Sequence, residues 1–226
     1  SSRILYNICM ETVLTMSSNI NYAEKTIFPK LDEFKNIPYR IDIYISGYDK
    51  YSLLEQHENI NIYATNYNVF DFTALVTKYV YEKIDSHLFL IHDTIKLGDN
   101  FSTLLSKKLQ DNSHLEAIGL QKGPSRGMGW FNCKYLLNHK NLPSLFGNTS
   151  NDIKQLNHFK KLAIQKENLL FDLAEKKTYF QDYDPQILEE ASMQNSFRRT
   201  YYFDSLDLYK YQANYTGIQP SYRIQV

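Results

Sequence analysis

The apolar run Leu88-Phe89-Leu90-Ile91, opened by His87, stops abruptly at His92-Asp93-Thr94. An unbroken apolar run of this length suits a strand covered on both faces, the situation of a central parallel strand. Its polar end puts an imidazole and a carboxylate at the carboxyl edge of a sheet, the edge at which open α/β sheets bind ligands.

The surrounding pattern decides what kind of sheet this strand can join. Arg3 to Met10 reads as a strand. Tyr22 to Lys35 has apolar residues at Ala23, Ile27, Leu31 and Phe34, a helical spacing that Pro29 should bend or shorten. Tyr39 to Ser46 alternates and is rich in β-branched and aromatic residues, a second strand stopped by Gly47. Tyr51 to His57 reads as a short helix and Asn61 to Thr65 as a third strand. Asp71 to Ile84 repeats Phe72, Leu75, Val76, Tyr79 and Val80 at helical spacing, with Asp71 placed to cap its first N–H groups. After the His87–Ile91 strand come a helix over 101–109 and a fifth strand over 114–120. Strands separated by helices in this way predict an α/β fold with a doubly wound, mostly parallel central sheet.

The second half has another texture. Lys122 to Phe131 is Gly-rich, Asn151 to Lys177 reads as one long amphipathic helix or two, and 178–226 is Tyr-rich and weakly periodic. No linker rich in Pro, Gly or Ser divides the chain, so residues 1–226 are expected to form one domain with a helical and irregular C-terminal part. The formal net charge of zero over 226 residues argues against the basic surface that non-specific nucleic-acid binding needs. No apolar run approaches the ~20 residues of a membrane span. No signal-peptide pattern is present, and Cys9 and Cys133, the only cysteines, read as reduced and buried, so a cytoplasmic setting is expected.

Several familiar site patterns are missing. There is no Gly-x-Gly-x-x-Gly or phosphate-binding Gly-rich lysine loop, no His-x-x-x-His spacing and no local context for a covalent triad. Dinucleotide binding, ATP binding, zinc hydrolysis and covalent hydrolysis are therefore disfavoured. A nucleotidyltransferase is the runner-up enzyme, although residues 10–20 lack the basic Gly-rich loop it would normally show.

The order of elements, the acidic end of the fourth strand at Ile91-His92-Asp93-Thr94, the segment from Thr65 to Leu75 and the Gly123–Asn132 loop together resemble a glycosyltransferase of the GT-A fold over roughly residues 3–175. The resemblance implies a Rossmann-like half over 1–120 that binds a nucleotide-sugar donor (a UDP- or GDP-sugar), and an acceptor-side half over 121–226 facing a glycan or other hydroxyl acceptor, as in polysaccharide biosynthesis. The family's strand-end motif is usually Asp-x-Asp around a divalent metal. Here a single carboxylate stands there, so the implied Mn²⁺ or Mg²⁺ would rest on Asp93, with His92 an acceptable ligand for Mn²⁺ only. Strand alternation can also send these two side chains to opposite faces. Asp93 as a turn cap and His92 as a packed residue are the competing readings.

The same resemblance places the nucleoside among Asn7, Cys9 or Glu11, Tyr48-Asp49, and Asn66 with Asp71. The leaving diphosphate falls to Asp93 and the Arg198-Arg199 pair, whose rigid donor forks suit phosphate unless they pair with Glu189-Glu190. Asp152, just before the 151–177 helix, is the candidate catalytic base, although Asp at that place is also an ordinary N-cap. Asp182 and Asp184 spell Asp-x-Asp but lack a preceding buried strand. Trp130 is placed either to stack on a sugar or to anchor the core. A non-catalytic sugar- or protein-binding module on the same fold remains the alternative function.

Overall fold

The computed structural model describes residues 11–123, 128–139, 141, 168–190 and 197–213, with backbone alone for 70, 189–190, 197–199 and 212–213. Its strands are β1 (Thr12–Asn19), β2 (Arg40–Ser46), β3 (Ser52–Gln56), β4 (Ile60–Thr65), β5 (His87–His92), β6 (Ile95–Leu97), β7 (Ala117–Gln121), β8 (Gly129–Phe131), β9 (Lys177–Gln181), β10 (Gln186–Glu190), β11 (Phe197–Phe203) and β12 (Leu208–Ala213). The helices are α1 (Ile20–Thr26), α2 (Leu31–Lys35), α3 (Thr73–Tyr81), α4 (Phe101–Asn112), α5 (Cys133–Asn138) and α6 (Leu169–Leu173).

Eight strands form one mixed sheet in the order β3-β4-β2-β1-β5-β8-β7-β9. The pairs β4·β2, β2·β1, β1·β5 and β7·β9 are parallel, while β3 and β8 run antiparallel to their neighbours. A second, antiparallel sheet has the order β10-β11-β12-β6. The architecture is α/β, a mostly parallel sheet flanked by helices, as the strand and helix pattern predicts.

The alternation of β5 explains its unbroken apolar run. Phe89 and Ile91 enter one core with α1, α2 and α4, through Ala23, Ile27, Phe34, Phe101 and Leu105. Leu88 and Leu90 enter the other with α3, α5 and α6, through Leu75, Val76, Leu136 and Phe171. A strand between two cores has no face left for polar residues. Each such side chain contributes about 1.5–3 kcal/mol by leaving water. Gly129 lets β8 slot between β5 and β7: its φ is +144°, and a Cβ there would lie 2.2 Å from the Ile118 carbonyl oxygen.

Four expectations are corrected. Tyr51 to His57 is not a helix: Ser52–Gln56 is an edge strand antiparallel to β4. Five residues cannot hold a helix alone, and pairing with β4, with Tyr51 stacked on Tyr63 at 5.7 Å, decides the conformation. Asp71 does not cap α3. A 3₁₀ turn over Phe70–Phe72 precedes the helix, and the Ala74 N–H is met by Ser17 Oγ at 2.9 Å. Of the amphipathic helix expected over 151–177, residues 151–167 lie outside the described residues; beyond them α6 covers only Leu169–Leu173, and Lys177 opens β9, its amine donating to the Phe171 and Asp172 carbonyls at 3.3 and 2.9 Å. Finally, Cys133 is not a reduced thiol but lies in a disulfide. Cys9 and the 3–10 strand lie outside the described residues. The first described strand is β1, whose apolar body grades into Ser17-Ser18-Asn19 and so hides its strand pattern.

The helix expected over 22–35 is broken as Pro29 requires, into α1, a 3₁₀ turn over Phe28–Lys30, and α2. The Tyr-rich tail contains β9 to β12, strands whose partners are distant in sequence.

Candidate functional site

The connectivity of the large sheet marks one place for a site. From β1 the chain moves outward to β2 and β4, then returns across β1 to form β5 on its other side. The direction of winding therefore reverses between β1 and β5, and at such a switch point the flanking loops part to leave a crevice at the carboxyl edge. The residues at that edge are polar: Ser17-Ser18-Asn19 from β1, Ser46 from β2, Thr65 from β4, and His92-Asp93 from β5.

A hydrogen-bond network holds these ends. Asn19 caps α1 through its side-chain oxygen, which accepts from Asn21 N at 2.9 Å, and its amide donates to Ser46 Oγ at 2.9 Å. The Ser46 hydroxyl lies 3.2 Å from the Ser18 carbonyl and 3.4 Å from Asn68 Oδ1. Ser17 Oγ donates to the Asp71 carbonyl at 3.0 Å while accepting from Ala74 N, which fastens the start of α3 to the end of β1.

Asp93 bridges β5 to β1 and α1. Its Oδ2 accepts from Ser18 Oγ and Thr26 Oγ1, each at 2.8 Å. Burial raises its pKa, and the neighbouring Asp71 raises it further against the two hydroxyl bonds and Lys30. Beneath it the buried Lys30 amine donates to the Asp93 carbonyl at 3.1 Å and to the Ile95 carbonyl. Burial lowers the Lys30 pKa to about 8, against the pull of Asp93 and Glu33.

His92 leaves the strand in another direction. Its Nε2 lies 3.2 Å from Asp71 Oδ2, the imidazole mostly covered and the carboxylate about half exposed at 49%. Burial, reinforced by the Lys210 ammonium, holds His92 well below its usual pKa of 6.5, so the ring is neutral at neutral pH. Enclosure raises the Asp71 carboxyl, and Lys210 opposes that shift. The structure thus brings Asp71, His92 and Asp93 to one edge, with His92 and Asp93 bonded to different partners.

The donor set does not suit a divalent ion. Among the described residues no three His, Cys, Asp or Glu side chains gather so as to hold a metal. Asp93 Oδ2 already accepts from two hydroxyls, and the Lys210 charge acts on both Asp71 and His92, where it opposes a cation.

The remaining expected residues fall as follows. Tyr48, half-buried, and Asp49, exposed, follow β2, and the Tyr48 N–H donates to the Thr65 carbonyl at 3.4 Å. Asn66 follows β4 and accepts from the Tyr81 hydroxyl at 2.8 Å. Both segments border the crevice. Arg198 and Arg199 lie on β11, with their backbone alone described. Asn7, Cys9 and Asp152 lie outside the described residues. Asp182 and Asp184 are exposed in the turn between β9 and β10. Trp130 is fully buried and donates to Thr12 Oγ1 at 3.1 Å, which makes it a core anchor and not a stacking platform.

The sequence does not single out the hydroxyls and amides of Ser17, Ser18, Asn19, Ser46 and Asn68, nor Thr26, Lys30 and Lys210. Lys210 carried a signal, because Leu208 and Lys210 occupy the same face of an alternating segment, a charge in an inward row. No protein-family model matches the chain, and no curated protein sequence matches it. No described helix is long and apolar enough to cross a membrane.

Proposed function

We propose that this protein is a nucleotide-sugar-dependent glycosyltransferase with a GT-A-like arrangement, taking a UDP- or GDP-sugar and a glycan or other hydroxyl acceptor. The observation that carries this reading is the convergence of polar strand ends from β1, β2, β4 and β5 at the switch point, with acidic and imidazole groups following the central strand. Tyr48-Asp49 and Asn66 border it on the β2–β4 side, where a nucleoside would lie. His92 and Asp71 border it at β5, where the diphosphate and the sugar carbon would meet.

In such a transfer the acceptor oxygen bonds to the anomeric carbon as the bond from that carbon to the diphosphate oxygen breaks. The electron pair of the broken bond stays on the diphosphate, and the acceptor hydroxyl loses its proton to a base. Asp152 is the base that the sequence offers, and neutral His92, oriented by Asp71, is a second group able to accept a proton. The leaving diphosphate needs positive charge or aligned donors beside it.

The test is calorimetric titration of the whole chain with UDP- and GDP-sugars, in Mn²⁺ and in EDTA, alongside measurement of nucleoside diphosphate release. Binding of at least one donor, lost on Asp71→Ala with the fold intact, supports the reading. Failure of every donor under both conditions overturns it. The internal bonding of Asp93 favours one second reading, a module that binds the donor without turnover. Binding with no diphosphate release across a panel of sugar acceptors would select it.

A further inference from the structure

The small sheet delivers one side chain to the crevice that the large sheet does not supply. β12 pairs antiparallel with β6, in the register Leu208 to Leu97 and Lys210 to Ile95. Directly opposed residues of an antiparallel pair share a face. Leu208, Leu97 and Ile95 are all buried in the core, so Lys210 continues an inward row and not a solvent-facing one. Along that row Lys210 is the member nearest Asp93, because β6 begins at Ile95 and runs away from it. One further backbone bond, from Tyr211 N to the Thr94 carbonyl at 2.9 Å, extends the pairing to the residue beside Asp93.

The register of β12 is fixed at its start. Asp207 adopts a positive φ of 49°. Its carboxylate accepts from Asn100 N at 2.9 Å and from the Tyr202 hydroxyl at 3.0 Å, while its carbonyl accepts from Gly98 N at 2.7 Å. A Cβ on Gly98 would fall 2.2 Å from the Asp207 carboxyl carbon, so this packing needs glycine. Lys210 is therefore carried to the edge on a pinned strand, three residues beyond a fixed corner.

We propose that Lys210 supplies the positive charge that holds the donor's diphosphate, in place of a divalent metal. The inference rests on the proposed function and deepens it. Its supports are the inward register of Lys210, its charge acting on both Asp71 and His92, and a donor set unsuited to a metal. A lysine ammonium is a compact point charge with rotatable donors, suited to phosphate oxygens whose positions shift as a bond breaks. When the bond to the anomeric carbon breaks, the diphosphate gains one negative charge, and a fixed ammonium in a partly desolvated crevice stabilises that gain more than it stabilises the intact donor. Lys30 does not compete for this role, since its amine is committed to the Asp93 and Ile95 carbonyls.

The experiment compares uridine, UMP and UDP, and guanosine, GMP and GDP, by calorimetry on the whole chain in EDTA. The proteins are wild type, Lys210→Gln and Lys210→Arg, with thermal unfolding run on each. Wild type is expected to prefer one diphosphate over its nucleoside without metal. Lys210→Gln should weaken that diphosphate by about ten- to a hundredfold, the worth of a charge-assisted contact, and leave the nucleoside unchanged. Lys210→Arg should restore most of the preference. A purely structural lysine would instead shift nucleoside and diphosphate together. Equal diphosphate binding by wild type and Lys210→Gln, or binding by wild type only when Mn²⁺ is present, overturns the inference while leaving the glycosyltransferase reading in place. If no nucleoside or nucleotide binds, that reading fails and takes this inference with it.

Discussion

Two clusters of charge sit on the same parallel strands and behave oppositely. Towards the amino end of β2, Asp42 accepts from the Lys78 amine at 2.8 Å, from Arg40 at 3.1 Å and from the Asn61 amide at 3.1 Å. Lys78 also meets Glu82 at 3.3 Å, and Glu82 accepts from the Tyr44 and Tyr51 hydroxyls at 2.6 and 2.7 Å. Burial pushes the Asp42 carboxyl up, but Lys78 and Arg40 outweigh it and hold the group below its usual range. At the carboxyl edge desolvation wins instead: it raises Asp93 and, although that side chain is half exposed, Asp71. The first cluster neutralises itself and staples α3 to β2. The second is left short of compensation, with Asp71 half open to solvent, as expected of groups awaiting a ligand and not of a finished internal brace.

The sharpest way to break this contrast is to remove the central cation of the sealed cluster. Lys78→Met strands carboxylates that are almost wholly covered and is expected to cost about 3–5 kcal/mol in urea unfolding. Lys210→Gln, at the open edge, should cost under about 1 kcal/mol by the same measurement, because the Asp71 carboxylate on which its charge acts is half exposed. Equal losses would erase the distinction between brace and site.

Lys30 gives the next largest effect, seen through pH. Its native pKa of about 8 lies below the ordinary 10.5, so the unfolded chain binds more protons between those values. Stability contributed by this group therefore rises as pH climbs from about 8 to about 10.5, by about 3 kcal/mol. Urea midpoints across that window should rise in wild type, and Lys30→Met should flatten the rise.

Asp93 carries the opposite sign. Its raised carboxyl makes the native state bind protons more tightly, so stability falls as pH rises from the unfolded value of about 3.9 through the native one. Asp93→Asn keeps an oxygen for Ser18 and Thr26 and removes the charge. Its urea midpoints should lose that acid-side decline, whereas Asp42→Asn should not reproduce the change.

A comparably small effect belongs to Trp130→Phe. Losing the bond to Thr12 should cost about 1 kcal/mol and leave nucleotide binding untouched. A change in sugar affinity would return Trp130 to the acceptor side.

The parallel half of the molecule was largely legible in the sequence. β2, β4, β5 and α3 are local units whose apolar spacing reports their burial directly. β5 could be read to within one residue of its end, Ile91 against the observed His92, because both of its faces are covered. What escaped was decided by contacts distant along the chain. Ser52–Gln56 has the composition of a helix and becomes a strand only because β4 offers an edge. Leu208-Tyr209-Lys210 makes sense only opposite Ile95-Lys96-Leu97, more than a hundred positions earlier. At the site, Asp93 and His92 were visible as the polar stop of a buried run. Ser18, Thr26 and Lys30 were not, because hydroxyls and an amine that serve a carboxylate across the fold leave no local pattern.

The passage of the chain from one sheet to the other has a consequence for how the molecule comes apart. β5 ends at His92 in the large sheet and β6 begins at Ile95 in the small one, so only Asp93 and Thr94 lie between. Asp93 is tied by side chain to β1 and α1, and Thr94 by backbone to β12. The small sheet cannot peel away without dragging on that two-residue seam and its bonds. Amides of β12 and β6 should therefore exchange with solvent in the same opening event as those of β5, a single cooperative unit running through the crevice.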